Sequence, residues 1–151
     1  MSVYSFLDVQ AAFEGPSASF QLGSGSGNAQ EGITVEPTGD KNIMTIGADG
    51  THMHSLRGDS SATITVTLLR TSQTNAQLQN AYNYQTASSQ YHGRNTITIR
   101  NVVSGDVITA SGVAFAKQTP VNYAEDGGTR AWTFHAGKID VKLGTGTPEK
   151  E

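Results

Sequence analysis

Residues 62–69 constrain the fold more than any other stretch of the chain. Ala62, Ile64, Val66 and Leu68 alternate with Thr63, Thr65 and Thr67, and in an extended chain successive side chains point to opposite faces. One face must be buried while the other is a row of hydroxyls, and the β-branched content suits a pleated surface. A strand of this kind leaves its backbone donors and acceptors unpaired unless neighbours supply a sheet. The chain must therefore hold further strands.

The same period of two recurs on both sides of that stretch. Leu7, Val9, Ala11 and Phe13 alternate with polar neighbours, Gly15 and Pro16 turn the chain, and Ala18, Phe20 and Leu22 continue the alternation on the way back. Residues 5–22 thus predict a hairpin with one apolar and one polar face. Short strands are expected at 33–35 and 42–46, followed by a polar loop from Asp49 and Gly50 to Asp59. Later, Ile97 and Ile99 point inward from a strand over 96–100, Ser104, Gly105 and Asp106 supply a turn, and residues 107–117 run back. Both faces of that return strand are small or apolar, so its orientation stays open. After a turn at Thr119 and Pro120, a last strand covers 130–143. Its apolar set changes from Trp132 and Phe134 to Ile139, Val141 and Leu143. That switch from even to odd positions needs one extra residue, and Ala136-Gly137 is the expected β-bulge.

One helix interrupts the strands. Thr74, Asn75, Ala76 and Gln77 match a capping box, and Leu78, Ala81 and Tyr82 recur at helical spacing until Gly93 offers a stop. The expected helix spans 74–88. Together these elements predict a mainly β fold, a small β-barrel or sandwich with one flanking α-helix, as a single domain over residues 1–144. Within it, residues 23–28 form a glycine- and serine-rich flexible loop, and residues 145–151 a disordered tail.

Composition narrows the function. Charged residues make up only 15% of the chain, 13 acidic and 10 basic, and neither sign forms a long run. No basic stripe is present of the kind that grips nucleic acid through its phosphates. The absence of cysteine removes disulfides, thiolate metal sites and thiol nucleophiles. The first residues lack the basic and apolar regions of a signal peptide, and no apolar run approaches a membrane span. The expectation is a protein made in the cytoplasm without membrane insertion of its own.

Candidate chemistry is sparse. His52 and His54 flank Met53, and on a strand that spacing places both imidazoles on one face, with Asp59 as a further ligand; the pattern resembles the metal site of a cupin-like barrel. No third and fourth ligand can be assigned, so no metal is expected. Arg57-Gly58-Asp59 reads as a turn, and Glu125-Asp126-Gly127-Gly128 as a hairpin tip without the spaced oxygens of a calcium loop. No nucleophile with its base, phosphate-cradling loop or dinucleotide fingerprint can be placed at a strand-to-helix junction. Neither catalysis nor a cofactor is expected.

The stretch SATITVTLLRTSQTNAQL over residues 61–78, a threonine-rich strand running straight into a helix, resembles a segment of myophage structural proteins. With the first hairpin and Gln118-Thr119-Pro120-Val121, the whole order of elements resembles the tail-tube proteins of contractile-tailed bacteriophages, a fold shared with the tube of type VI secretion systems. The resemblance implies a non-enzymatic virion protein, made in the host cytoplasm, whose hexameric rings stack into a tube. It implies a tail sheath protein outside, and a tape-measure protein and transiting DNA inside. It assigns the channel wall to the two hairpins, so alternation sends Asp8, Gln10, Ser17, Ser19 and Gln21 toward the lumen, with Thr96, Thr98 and Arg100. Asp8 is expected to neutralise Arg100 and to add a belt of charge that repels phosphates. Leu78, Ala81 and Tyr82 are expected to pack the helix against the barrel.

Overall fold

The computed structural model describes residues 3–16, 18–23 and 27–144, with backbone only at 28–31. The chain opens with a 3-10 turn, Phe6–Asp8, and continues as β1 (Val9–Glu14), β2 (Ser19–Gln21), β3 (Asn28–Pro37), β4 (Asn42–Ile46), β5 (His52–Leu56) and β6 (Ala62–Leu69). Helix α1 (Thr74–Thr86) follows, then β7 (Asn95–Asn101), β8 (Asp106–Phe115) and β9 (Thr129–Lys142). Seven strands form one antiparallel sheet in the order β2-β1-β7-β8-β9-β6-β3, and β4 pairs with β5 as a separate hairpin. The expected mainly β fold with one helix takes the form of a sandwich. Its sheet stays open, with β2 and β3 at the two edges.

The aromatic residues show how one sheet makes two layers. Phe13 on β1 and Phe134 on β9 stand three strands apart in the sheet, which in a flat sheet is about 14 Å. Their rings are 5.8 Å apart, and Phe115 on β8 joins both at 5.8 and 4.9 Å. The sheet must curl until the β1 end lies over the β9–β6 end. Trp132, Ile64, Val66 and Leu68 fill the space between, all essentially without solvent contact.

The curl has a local cause. Along β8 the inward residues change from Ala110 to Val113, and along β9 from Ala136 to Ile139, so both strands switch parity at the same level. Gly112 and Gly137 face each other there in close approach, and Gly112 has a φ of +62°, which a side chain would strain. The parity change read at Ala136-Gly137 is present, and it also settles the orientation of β8.

Amides hold α1 to the sheet. Its core side offers Leu78 and Ala81 to the cluster, while Tyr82 meets the Phe115 ring edge-on at 5.5 Å. Asn75 donates to the carbonyls of Leu69 and Arg70 and accepts from the Trp132 indole at 3.0 Å. At the other end Gln85 and Asn95, both fully buried, exchange two hydrogen bonds of 2.7 and 2.6 Å, and Asn95 also donates to the Val113 carbonyl. A Cβ on Gly15 would collide with the Asn95 carbonyl oxygen, so this turn must be glycine.

Several expectations change. The strand expected from residue 5 begins at Val9, because the Ser5 hydroxyl accepts from the Leu7 amide and closes a 3-10 turn that leaves Leu7 80% exposed. The loop expected over 49–59 contains β5. Thr74 does not cap α1: the preceding Ser72 hydroxyl accepts from the Thr74 amide at 3.2 Å, and Gln77 is exposed. The helix ends at Thr86 and not at 88. Residues 24–26 of the glycine-serine loop, Ser17, and the 145–151 tail lie outside the described residues.

Two substitutions test this account. Leu78→Ala should lower unfolding free energy by about 2–5 kcal/mol, as a cavity at a fully buried site does. Asn95→Ala strands the Gln85 amide in the core and should cost about 1–3 kcal/mol. Chemical denaturation monitored by Trp132 fluorescence reads both, and an unchanged midpoint for either variant contradicts the packing described.

Candidate functional site

The sheet presents a second face, opposite the aromatic core. Since Val9, Ala11, Phe13 and Ile97 point inward, their even-numbered neighbours point out, and the register aligns them in rows across the strands. One row runs Gln10, Arg100, Val107 and Lys142; the next runs Gln21, Ala12, Thr98, Thr109 and Asp140; a third holds Ser19, Glu14 and Thr96. Farther along the curl, Thr63 stands beside His135 and Thr65 beside Thr133 on the same outer surface.

Gln10, Ser19, Gln21, Thr96, Thr98 and Arg100 therefore share one face. Asp8 does not join it. Its half-buried carboxylate belongs to the 3-10 turn, in a small recess with Ser5, Asn101, Ser104 and Asp106. Arg100 stands across from Gln10 and Val107, not beside Asp8. Glu14, Thr109, Asp140 and Lys142 were missed, though the alternation of β1 supplies Glu14 and the register of β8 and β9 supplies the other three once their parity change is placed. With Lys138 one step along, the face carries Glu14 and Asp140 against Arg100, Lys138 and Lys142, so charge of both signs is interspersed rather than a carboxylate belt.

The hairpin β4–β5 projects from the sheet. Its strands pair from Asn42 opposite Leu56 to Ile46 opposite His52. The base is closed by the Arg57 amide donating to the Lys41 carbonyl and by Asp59 accepting from both the amide and hydroxyl of Ser61. These bonds hold the Asp59 carboxyl below its usual pKa. Arg57-Gly58-Asp59 is thus part of the connection from β5 to β6, and the turn expected there is not formed. At the tip, Asp49 accepts from the Thr51 amide at 3.0 Å, which likewise lowers its pKa.

Met44, Ile46 and Leu56 share one side of this hairpin and Ile43 and Met53 the other, and all five are exposed, Leu56 to 88%. A lone two-stranded hairpin is only marginally stable in water, and apolar side chains on both of its sides form the largest uncovered cluster in one element. His52 and His54 sit on the Met44 side with rings edge-on at 5.3 Å, and the His54 Nδ1 is 3.2 Å from the Asn42 amide. This is an outward arm, whereas a cupin-like site lies inside a barrel. Among the described residues no three His, Asp or Glu side chains are grouped to hold a metal.

An open sheet curled on an aromatic core, with one helix and a projecting hairpin, is a fold also found in chains of contractile injection machines. A chain of an extracellular contractile injection system, a PVC sheath-tube complex in the extended state, superposes with a TM-score of 0.55 at 12% identity, covering 89% of this chain and 88% of that one. A chain of the anti-feeding prophage tube-terminating cap gives 0.54 at 12% over 95% and 92%. One from the 6-fold symmetrised baseplate of the anti-feeding prophage gives 0.54 at 9% over 95% of each chain. At such identities the likeness is one of fold. The chain belongs to the bacteriophage PhiTE tail tube protein family, whose model matches residues 1–144. No curated protein matches it. No helix among the described residues is long and apolar enough to cross a membrane.

Two measurements bear on the arm. Elemental analysis after dialysis against zinc or nickel should find no stoichiometric metal; metal retained by the protein and lost in His52→Ala/His54→Ala would establish a site there. The Asp49 carboxyl has a folded pKa depressed from 3.8, so its contribution to the tip is present above that value and is lost as pH falls through the depressed one. Hydrogen exchange at the Thr51 amide should accelerate there, and Asp49→Ala should abolish that pH dependence.

Proposed function

We propose that this protein is a non-enzymatic subunit of the inner tail tube, closing as hexameric rings that stack into the channel for DNA delivery. The open seven-stranded sheet carries this reading: its outer face is polar, its core face is filled, and β2 and β3 end it at two strand edges. Exposed edges are templates for pairing with another chain. In a closed ring each subunit's edges meet its neighbours', which removes every free edge at once. The sixfold symmetry in the name of a similar assembly supports the ring number.

In that ring the polar rows form the channel wall, lined by Gln10, Ser19, Gln21, Thr96, Thr98 and Arg100 with Glu14, Thr109, Asp140 and Lys142. Ser17 would extend the β2 row. Hydroxyls and amides keep the wall wet, and the balanced charges deny DNA the run of cations that counterion release rewards. A wall of this kind holds neither the tape-measure protein nor the passing DNA. The arm extends along the tube axis to the next ring, where its two apolar sides are covered by a second copy. A tail sheath protein encloses the assembled tube.

Electron microscopy of concentrated protein tests the reading, with rings or tubes of sixfold end view expected and dispersed monomers alone contradicting it. Leu56→Asp with Met53→Asp should leave monomer stability within about 0.5 kcal/mol, as exposed substitutions do, yet abolish stacking. Gln10→Lys with Gln21→Lys should assemble normally and slow DNA ejection from phage, because each ring then repeats twelve added cations against the phosphates. Ejection at the normal rate would remove this face from the channel wall.

A further inference from the structure

Asp49-Gly50 and Asp126-Gly127 are the two places in the chain where an aspartate precedes a glycine. A pair of this kind is chemically unstable in a flexible backbone. The glycine nitrogen attacks the side-chain carboxyl carbon, a C–N bond forms and a C–O bond breaks, and the N–H proton leaves with the hydroxyl as water. The product is a five-membered succinimide. Water then reopens the ring, at the side-chain carbonyl to restore aspartate or at the main-chain carbonyl to give isoaspartate. In isoaspartate the chain runs through the side-chain carbon, one backbone carbon longer, and the α-carboxylate hangs free. The water lost in the first step is regained in the second, so neither oxidant nor reductant is needed. Glycine favours the closure because no Cβ hinders its nitrogen.

The fold treats the two pairs differently. At Asp49 both reacting groups are held: the Gly50 amide donates to the Gly47 carbonyl at 3.0 Å, and the carboxylate accepts from the Thr51 amide at 3.0 Å. The bonds from Thr51 also lower the pKa of that carboxyl, and the anion is the poorer electrophile. At Asp126 neither group is held. Residues 124–127 are exposed and irregular, and among the described residues none hydrogen-bonds to the Asp126 carboxylate or the Gly127 amide. A side chain at Gly127 would meet nothing within 4 Å. Only the flanks are fixed, both by one residue: the Arg70 guanidinium lies 4.5 Å over the Tyr123 ring, and the Arg70 amide donates to the Gly128 carbonyl at 3.4 Å.

We infer that Asp126-Gly127 is a site of spontaneous isoaspartate formation in the folded protein, and that the fold shields Asp49-Gly50 from the same reaction. The product is a substrate for the class of enzyme that methylates the free α-carboxylate of isoaspartate from S-adenosylmethionine. Its extra backbone carbon falls between the two contacts with Arg70 and lifts Tyr123 away from the guanidinium. The core is untouched, because Thr119, buried with its hydroxyl on the Ala131 carbonyl, and Thr129, paired with Leu69, confine the change to the loop. None of this depends on what the subunit assembles into.

The test keeps purified, folded protein at neutral pH and moderate warmth for several weeks. Trypsin, cutting after Lys41, Arg57, Lys117 and Arg130, then releases the two sites on separate peptides, 42–57 and 118–130. Isoaspartate in each is measured by methyl transfer from radiolabelled S-adenosylmethionine with isoaspartyl methyltransferase, and by electron-transfer fragmentation in the mass spectrometer. It should build up in 118–130 about tenfold or more faster than in 42–57, the factor that the two hydrogen bonds at Asp49-Gly50 give at ordinary net strength. In a second sample held unfolded in urea, the two rates should converge. Asp126→Glu, which would need a six-membered ring, should bring 118–130 down to the level of 42–57 and leave the melting temperature unchanged. Equal rates in the folded protein overturn the inference, and so does a difference that persists in urea, since local sequence and not the fold would then set it.

Discussion

The contact of Phe13 with Phe115 and Phe134 is the constraint from which the rest of the architecture follows. Rings carried by strands this far apart in one sheet meet only because β8 and β9 bend together at Gly112 and Gly137. Without the bend, the inward residues of β9 would stay on even positions and Ile139 would turn to solvent. With it, one antiparallel sheet becomes two layers, the apolar side is used up internally, and only a polar face and two strand edges are left to meet other molecules. Such a sheet is wettable on its open face and offers unpaired backbone groups at its two edges.

The helix depends on the same curl. Its apolar contribution is small, essentially Leu78 and Ala81 with part of Tyr82, and buried amides supply what hydrophobic contact does not. Asn75 and Gln85 stand at its two ends and reach Trp132 and Asn95, residues whose strands come within range only after the sheet has folded over. Such pairs act through specificity: each satisfied partner fixes one helix register, and a shifted register would bury amides without partners. A long uncharged exposed stripe along α1 can be tolerated for this reason, since the position of the helix does not rest on surface charge.

How far the sequence was legible follows from what each residue's period encodes. The strand at 62–69 and the change of parity at Ala136-Gly137 were readable because burial on one side forces alternation, and a break in that alternation shows in the sequence. Gln10, Ser19, Gln21, Thr96, Thr98 and Arg100 fell on one face for the same reason. The arm was not readable. Ile43, Met44 and Ile46 lie in the short strand expected over 42–46, yet all three stay exposed on the β4–β5 hairpin. Asp8 falls just outside β1 because of one hydrogen bond, the Ser5 hydroxyl to the Leu7 amide, which favours a 3-10 turn over an extra pair of strand residues. Thr74 loses the cap position for a similarly local reason, with Gln73 at the N-cap making no side-chain bond and the Ser72 hydroxyl accepting from the Thr74 amide: alternation and helical spacing place elements to within a residue or two, and local bonds decide the rest.

These misreadings share a physical origin that bears on how the protein works. Intrachain burial leaves a strong periodic record, whereas the surfaces a single chain leaves uncovered are written as exceptions to it: apolar residues without a core in the arm, a helix face without charge, and a strand face with charges of both signs interspersed. Each exception uses a different chemistry. The arm offers apolar area that water disfavours, the edges offer backbone hydrogen bonds that a neighbouring strand completes, and the helix stripe offers amides that lose little by staying hydrated. The first two carry a standing hydration penalty that covering them would relieve, while the stripe carries almost none.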